Sequence, residues 1–171
     1  KMQQRHPAWR IKVADELIAF TDMHYGRQQA NLAHECGDFI LRRSDGVYAY
    51  QLAVVIDDAL MGVNQVVRGC DLLSSTPVQL YLYRLLNLTP PSFCHIPLLT
   101  DAAGRRLSKR DGDLEIAALR QHFGNPEPII GLLAYLAGQL PKPEPITAAE
   151  LLPLFRPEAV PHDNIVVPQL L

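Results

Sequence analysis

The sequence has few cysteines, and none of them has the spacing of a metal ligand or a redox partner. Three cysteines occur in 171 residues, at Cys36, Cys70 and Cys94. This spacing excludes a zinc knuckle and a redox pair, and scattered thiols in odd number are typical of a reducing cytosol. The six histidines show no close ligand spacing either. We therefore assign no metal ion to these side chains and expect a cytoplasmic protein.

Long apolar runs and an excess of one charge are also missing. No stretch reaches the roughly 20 apolar residues that a membrane-spanning helix needs, and no signal peptide opens the chain. We therefore expect no membrane association. The formal net charge is −2, so no overall basic field indicates nucleic acid, and only a local patch could. The first residue is Lys1 rather than Met, which indicates a fragment or a processed chain.

What the sequence does contain is an alternation of short strands and helices. Apolar residues make up 48% of the chain, enough for the core of one domain with an appendage. The periodicity predicts strands at residues 9–13, 17–21, 63–67 and 93–99, and helices at 50–61 and 71–86. This order indicates an α/β fold with a parallel sheet.

Turn and cap signals refine this pattern. The sequence Ser-Asp-Gly at residues 44–46 predicts a hairpin over residues 38–50, because Gly accepts the positive φ of a tight turn. Thr76 is predicted to cap a helix start that continues with Pro77. Residues 31–35 are interpreted as a helix start or a loop.

The chain changes character after residue 112. Helices are predicted at residues 114–123 and 129–140, then a stiff proline-rich linker at 141–145. Thr147 and Glu150 form a capping-box pattern at the start of a short helix. We expect an extended tail from residue 156. The predicted division is 1–112 and 113–171.

A basic loop is the sharpest local feature. Residues 104–110 read GRRLSKR, so four cations fall within six residues. Such a loop can neutralise a polyphosphate, because Lys supplies a point charge and Arg a two-pronged donor. The alternative is a solvated surface turn.

Tyr50 and Arg68 are the second feature. Arg68 follows a predicted strand, and ligands bind at the carboxyl ends of parallel strands, so its guanidinium is placed to hold a carboxylate. The alternative is a salt bridge to Asp57, Asp58 or Asp71. Neighbouring helix residues point about 100° apart, so Asp57 and Asp58 do not easily serve one site.

Three segments in this order resemble the glutamyl-tRNA synthetase family. Residues 38–58 and 66–76 resemble consecutive catalytic-domain segments, and RLSKR at 106–110 resembles the KMSKS signature loop of class I synthetases. The resemblance spans residues 36–112. It implies that residues 1–112 form the second half of a Rossmann-like nucleotide-binding domain with a parallel sheet, followed by a small α-helical segment.

The resemblance also implies roles for individual residues. Tyr50 and Arg68 would contact bound L-glutamate, and Lys109 would be the catalytic residue that stabilises the ATP phosphates, with magnesium sharing that charge. The residues implied to bind ATP are Arg106, Leu107, Ser108, Lys109 and Arg110. Arg106 departs from the family pattern, which usually has Lys there.

A second departure concerns the missing half of the adenylate site. The family places a HIGH-type motif, a glutamate-binding Arg and a cysteine-rich zinc insertion upstream of where this sequence begins. We therefore expect zinc only in such an upstream segment, and we expect this chain alone to be inactive.

The branch of the family that fits best is a shortened one, which attaches glutamate to queuosine in the anticodon of tRNA(Asp). The resemblance then implies glutamate, ATP and tRNA(Asp) as partners and a monomer. The alternatives are a fragment of an ordinary glutamyl-tRNA synthetase that charges tRNA(Glu), a non-catalytic nucleotide- or RNA-binding module, and a structural α/β domain.

Overall fold

A computed structural model describes residues 7–107 and 116–167 of the chain. It divides into two compact units, Lys1–His95 and Ile96–Leu171. The predicted boundary at residue 112 lies outside the described residues. Within the described ranges, no helix is long and apolar enough to cross a membrane.

The first unit alternates short strands with three helices. Its strands are β1 (Trp9–Ile11), β2 (Leu17–Asp22), β3 (Gly26–Asn31), β4 (Phe39–Arg42), β5 (Gln65–Gly69) and β6 (Ser92–Ile96). Its helices are α1 (Leu32–Glu35), α2 (Tyr50–Leu60) and α3 (Thr76–Leu85), the last preceded by a 3₁₀ helix (Cys70–Ser75). The strands predicted from alternation are present. The polar strand β3 was missed, because GRQQAN carries no apolar alternation.

Strand pairing combines antiparallel and parallel partners. The pairs β1–β4 and β2–β3 are antiparallel. Strands β5 and β6 are neighbours joined through α3. The Ser92 N–H donates to the Asn64 carbonyl at one end (3.0 Å), and the Arg68 and His95 side chains meet at the other. The two strands therefore run in the same direction, as the predicted crossover requires.

Helix α3 contributes buried side chains to both hydrophobic clusters of this unit. Val78 and Tyr81 pack with Ile18 and other buried residues on one side. Leu82 and Tyr83 pack with Val55 of α2 on the other side. Burial of these side chains on two sides of α3 fixes the helix against β2 and α2.

The predicted hairpin over residues 38–50 forms as far as Ala49. The Gly46 N–H donates to the Arg43 carbonyl in the turn, and the return is held by an Arg42–Tyr48 bridge and by hydrogen bonds from the Arg43 N–H to the Val47 carbonyl (2.8 Å) and from the Ala49 N–H to the Leu41 carbonyl (2.9 Å). Strand β4 also pairs with β1, which was not predicted. The Arg42 guanidinium lies over the rings of Trp9 and Tyr48, 5.3 and 5.4 Å from their centroids. Tyr50 already belongs to helix α2.

The predicted capping role of Thr76 is wrong. Ser75 precedes the helix, and Thr76 is its first residue with Pro77 next. The Thr76 hydroxyl does not cap the helix, because it accepts a hydrogen bond from Arg68 at 2.8 Å. The segment before it, predicted as α-helix from residue 71, is a 3₁₀ helix. In contrast, Asn31 caps α1 as a helix start.

In its described residues, the second unit contains three α-helices, two 3₁₀ helices (Leu152–Leu154 and Pro157–Ala159) and a parallel strand pair. Its elements are β7 (Leu99–Thr100), α4 (Ile116–Phe123), α5 (Glu127–Leu136), α6 (Ala148–Leu151) and β8 (Ile165–Val166). The predicted capping box of Thr147 and Glu150 is confirmed. The tail is not merely extended, since β8 pairs in parallel with β7. The Asn164 side chain helps to hold it, because it accepts a hydrogen bond from the Leu98 N–H at 2.9 Å.

Gly131 lets the proline-rich linker pass directly over helix α5. A Cβ at this position would lie 1.9 Å from the Glu144 carbonyl oxygen and 2.7 Å from its carbonyl carbon. Gly131→Ala is therefore expected to destabilise this unit by about 3 kcal/mol, although Ala normally favours a helix. Urea unfolding measures the change. Leu133→Ala, at an exposed position of the same helix, is the control, and equal stability of the two variants would contradict the close packing.

Candidate functional site

Arg68 lies near the carboxyl end of β5, and its guanidinium is held on one edge. Its Nε donates to His95 Nε2 at 2.9 Å, and its Nη2 donates to the Thr76 hydroxyl at 2.8 Å. A longer contact of 3.4 Å joins Nη2 to the Leu72 carbonyl. The guanidinium also lies 5.1 Å from the centroid of the Phe93 ring. The side chain is thus fixed in one direction.

The acceptors of these hydrogen bonds are all uncharged. Among the described residues they are His95, Thr76 and the Leu72 carbonyl, rather than the carboxylates of the alternative interpretation. Burial lowers the pKa of Arg68, while Tyr50 and the carboxylates of Asp58, Asp22 and Asp71 act in the opposite direction. Arg remains protonated near neutral pH. Its charge is therefore available to an anionic ligand.

Behind Arg68 lies a buried pair of titratable side chains. His95 and Asp22 are both 0% exposed in their side chains, and His95 Nδ1 lies 2.6 Å from Asp22 Oδ2. Burial would raise the pKa of Asp22, but hydrogen bonds from the Tyr25, His24 and His95 N–H groups and from the His95 ring hold it below its ordinary value. Asp22 is therefore a carboxylate at neutral pH.

Tyr50 begins helix α2 and remains 56% exposed. It is near enough to Arg68 to act on its pKa. Its hydroxyl and the Arg68 guanidinium are two polar groups of the same unit, within electrostatic range of each other. This arrangement suits a ligand that carries a carboxylate and a further polar group.

The Tyr83 hydroxyl is the unexpected member of this neighbourhood. Tyr83 is 2% exposed, and within the described ranges its buried hydroxyl has no hydrogen-bond partner. Burial and Asp58 raise its pKa, while Arg68 lowers it.

Asp57 is exposed and Asp58 half-buried, so these two neighbours face different surroundings, as their helical spacing predicts.

The basic loop is described only in its first part. Arg106 forms an antiparallel bridge with Thr100, and the Leu107 N–H donates to the Leu99 carbonyl at 3.1 Å. Both residues are thus fixed beside β7. The remaining residues that were predicted to bind ATP lie outside the described residues: Ser108, Lys109 and Arg110.

Arg105 has a structural partner in this loop. Its Nε lies 3.0 Å from an Asp101 oxygen, and its N–H donates to the same carboxylate. These hydrogen bonds lower the pKa of Asp101. Arg105 therefore stabilises the turn that leads into the signature loop.

Sequence reasoning missed Asp22, His95 and Thr76. Asp22 and His95 are separated by 73 residues, and no local spacing connects them. The signal available was indirect, because Asp22 directly follows one predicted strand and His95 lies in another.

Comparison with known proteins gives a consistent result. The family model described as tRNA synthetases class I (E and Q), catalytic domain, matches residues 1–153. A glutamyl-Q tRNA(Asp) synthetase of Nitratidesulfovibrio vulgaris is 51% identical over 164 residues, which are 96% of this chain and 51% of that protein. The corresponding protein of Symbiobacterium thermophilum is 47% identical over 162 residues, 95% of this chain and 50% of that protein.

A solved structure shows the same fold. Glutamate-tRNA synthetase from Elizabethkingia anophelis matches with a TM-score of 0.74 and 24% identity, over 92% of this chain and 35% of that one. The chain thus spans about half the length of the curated relatives it matches.

Proposed function

Since this chain belongs to the catalytic-domain family of the class I tRNA synthetases for glutamate and glutamine, we propose that its protein activates L-glutamate with ATP and transfers the glutamyl group to queuosine-34 of tRNA(Asp). The observation that supports glutamate as the substrate is Arg68, a fixed cation whose hydrogen-bond acceptors are all neutral. The acceptor is proposed from the relatives, which are named glutamyl-Q tRNA(Asp) synthetases.

The proposed reaction has two steps. A glutamate carboxylate oxygen forms a bond to the α-phosphorus of ATP, and the bond to the bridging oxygen breaks, so that pyrophosphate leaves. A hydroxyl of the modified base then attacks the acyl carbon, loses its proton and displaces AMP. ATP enters as its magnesium complex, so the metal belongs to the substrate. The protein's task is to orient these groups and to stabilise charge.

Different side chains would bind glutamate and stabilise the charge on the phosphates. Arg68 and Tyr50 would bind glutamate, the guanidinium through a carboxylate and the phenol through a hydrogen bond. Lys109 would stabilise the negative charge that develops on the phosphates, because an ammonium group forms charge-assisted hydrogen bonds. Arg106, Leu107, Ser108 and Arg110 would form the rest of the loop around ATP. We propose that the protein acts as a monomer.

Transfer assays with the full-length gene product test this proposal. We expect transfer of labelled glutamate to tRNA(Asp) that contains queuosine, and none to tRNA(Asp) that lacks it. Transfer to tRNA(Glu) instead would identify an ordinary glutamyl-tRNA synthetase. Failure of glutamate-dependent ATP–pyrophosphate exchange, with tRNA present, would refute an adenylating enzyme and favour a binding module.

A further inference from the structure

The Arg68 guanidinium presents two different edges. Nε and Nη2 share one edge, and this edge is occupied by His95 Nε2 and the Thr76 hydroxyl, which are 3.3 Å from each other. Nη1 makes no hydrogen bond within the described ranges. The outer edge, formed by Nη1 and Nη2, therefore retains donors that suit a carboxylate, although Nη2 also contacts the Leu72 carbonyl at 3.4 Å.

The edge of Arg68 formed by Nε and Nη2 determines which nitrogen of the His95 ring carries the proton. A guanidinium only donates hydrogen bonds, so His95 Nε2 must accept from Arg68. The ring proton then resides on Nδ1 and is donated to Asp22 Oδ2 at 2.6 Å. His95 is therefore neutral, and the tautomer is set by Asp22.

Asp22 is itself held from several sides. Its Oδ1 accepts from the His24 N–H at 3.0 Å and from the Tyr25 N–H at 2.9 Å. The His95 N–H donates to both carboxylate oxygens at 3.2 Å. Because these donors are backbone groups of the turn after β2 and of β6, the carboxylate cannot rotate freely. The Asp22 carboxylate therefore fixes the His95 ring, and the ring in turn fixes the Arg68 guanidinium.

We propose that Asp22 and His95 are positioning residues, which aim the outer edge of Arg68 at the carboxylate of the amino-acid substrate. The proposal rests on the proposed function, because it takes glutamate as that substrate. Neither residue touches the substrate in this role. The contrasting role is purely structural, in which the buried pair stabilises the fold and the aim of Arg68 does not depend on it.

Two substitutions of His95 separate these roles. An Asn amide lies near the place of Nδ1, so His95→Asn keeps a partner for Asp22 and removes the acceptor of Arg68. A Gln amide reaches the place of Nε2, so His95→Gln restores an acceptor for Arg68. We expect His95→Asn to raise the KM for glutamate roughly 10- to 100-fold, the usual effect of losing a hydrogen bond to a charged group. His95→Gln should recover part of this loss, because Arg68 regains an acceptor while the link from Nδ1 to Asp22 stays absent.

The measurement is glutamate-dependent pyrophosphate exchange by the full-length gene product, with tRNA present and the KM for ATP determined in parallel. A KM for ATP that stays constant in both variants supports positioning. Equal changes in both variants, or parallel changes in the KM for glutamate and ATP, would overturn it. Thermal unfolding of each variant identifies loss of folded protein separately.

The ring tautomer gives a readout that needs no activity. Nitrogen-15 NMR of the histidine rings is expected to show His95 protonated at Nδ1 and not at Nε2. In Asp22→Asn, an amide oxygen that keeps the backbone donors leaves an NH₂ group facing Nδ1, so both ring nitrogens face donors and the single Nδ1-protonated tautomer is expected to be lost. Protonation of Nε2 in the unsubstituted protein would overturn the proposal. Absence of exchange in the unsubstituted protein would refute the proposed function alone, and the tautomer would then decide the arrangement.

Discussion

Arg68→Ala is expected to raise the KM for glutamate about 100-fold or more, while the KM for ATP stays nearly constant. The substitution removes the cation that would bind a glutamate carboxylate. It also leaves His95 Nε2 and the Thr76 hydroxyl without their donor. Pyrophosphate exchange at varied glutamate concentration measures the effect.

Two further substitutions test the interpretation of that result. Arg68→Lys keeps the charge but loses the planar two-edged donor, so we expect recovery of only part of the affinity. Arg43→Ala is the matched control, because this exposed Arg pairs with Asp45 on the surface. An Arg68→Ala enzyme with an unchanged KM for glutamate would contradict the assignment of Arg68 to the substrate.

Lys109→Ala is expected to lower kcat about 100- to 1000-fold, the usual loss when one group that stabilises transition-state charge is removed. The KM for glutamate should change little, because the resemblance assigns Lys109 to the phosphates. Lys109 lies outside the described residues, so this expectation rests on its place in the signature sequence.

Arg105→Ala is the control for Lys109. It removes a cation four residues away that pairs with Asp101, so kcat should stay within about threefold, in keeping with the small contribution of exposed ion pairs. Single-turnover formation of glutamyl-adenylate measures both variants. A similar loss in the two would indicate a general electrostatic effect of the loop, and no loss in Lys109→Ala would contradict its catalytic role.

Several elements of the fold were predicted correctly from local pattern. Helix α2 follows from apolar residues at helical spacing, and it begins at Tyr50 as predicted. The capping box of Thr147 is also a local pattern and is confirmed. The hairpin that returns over Val47–Ala49 is a local pattern too and forms as predicted. The pairing of β4 with β1, which lies about 30 residues earlier in the chain, was not predicted. Local propensity gives no information about which distant strand pairs with β4.

The candidate site divides in the same way. Tyr50 and Arg68 could be selected from the sequence, because each stands where a helix begins or a parallel strand ends. The direction of the Arg68 guanidinium could not be predicted from the sequence. It depends on His95, 27 residues after Arg68, and on Asp22, which precedes His95 by 73 residues.

The sequence by itself therefore determined the family, the α/β order of elements and the identity of the cation, because these depend on residue types at short spacing. Only the tertiary structure decided which edge of that cation is hydrogen-bonded within the protein and which tautomer His95 adopts. Burial supplies the physical reason. Removal from water requires Asp22, His95 and Thr76 to find hydrogen-bond partners within the protein, and the packing of α3 against the strands determines which partners are within reach.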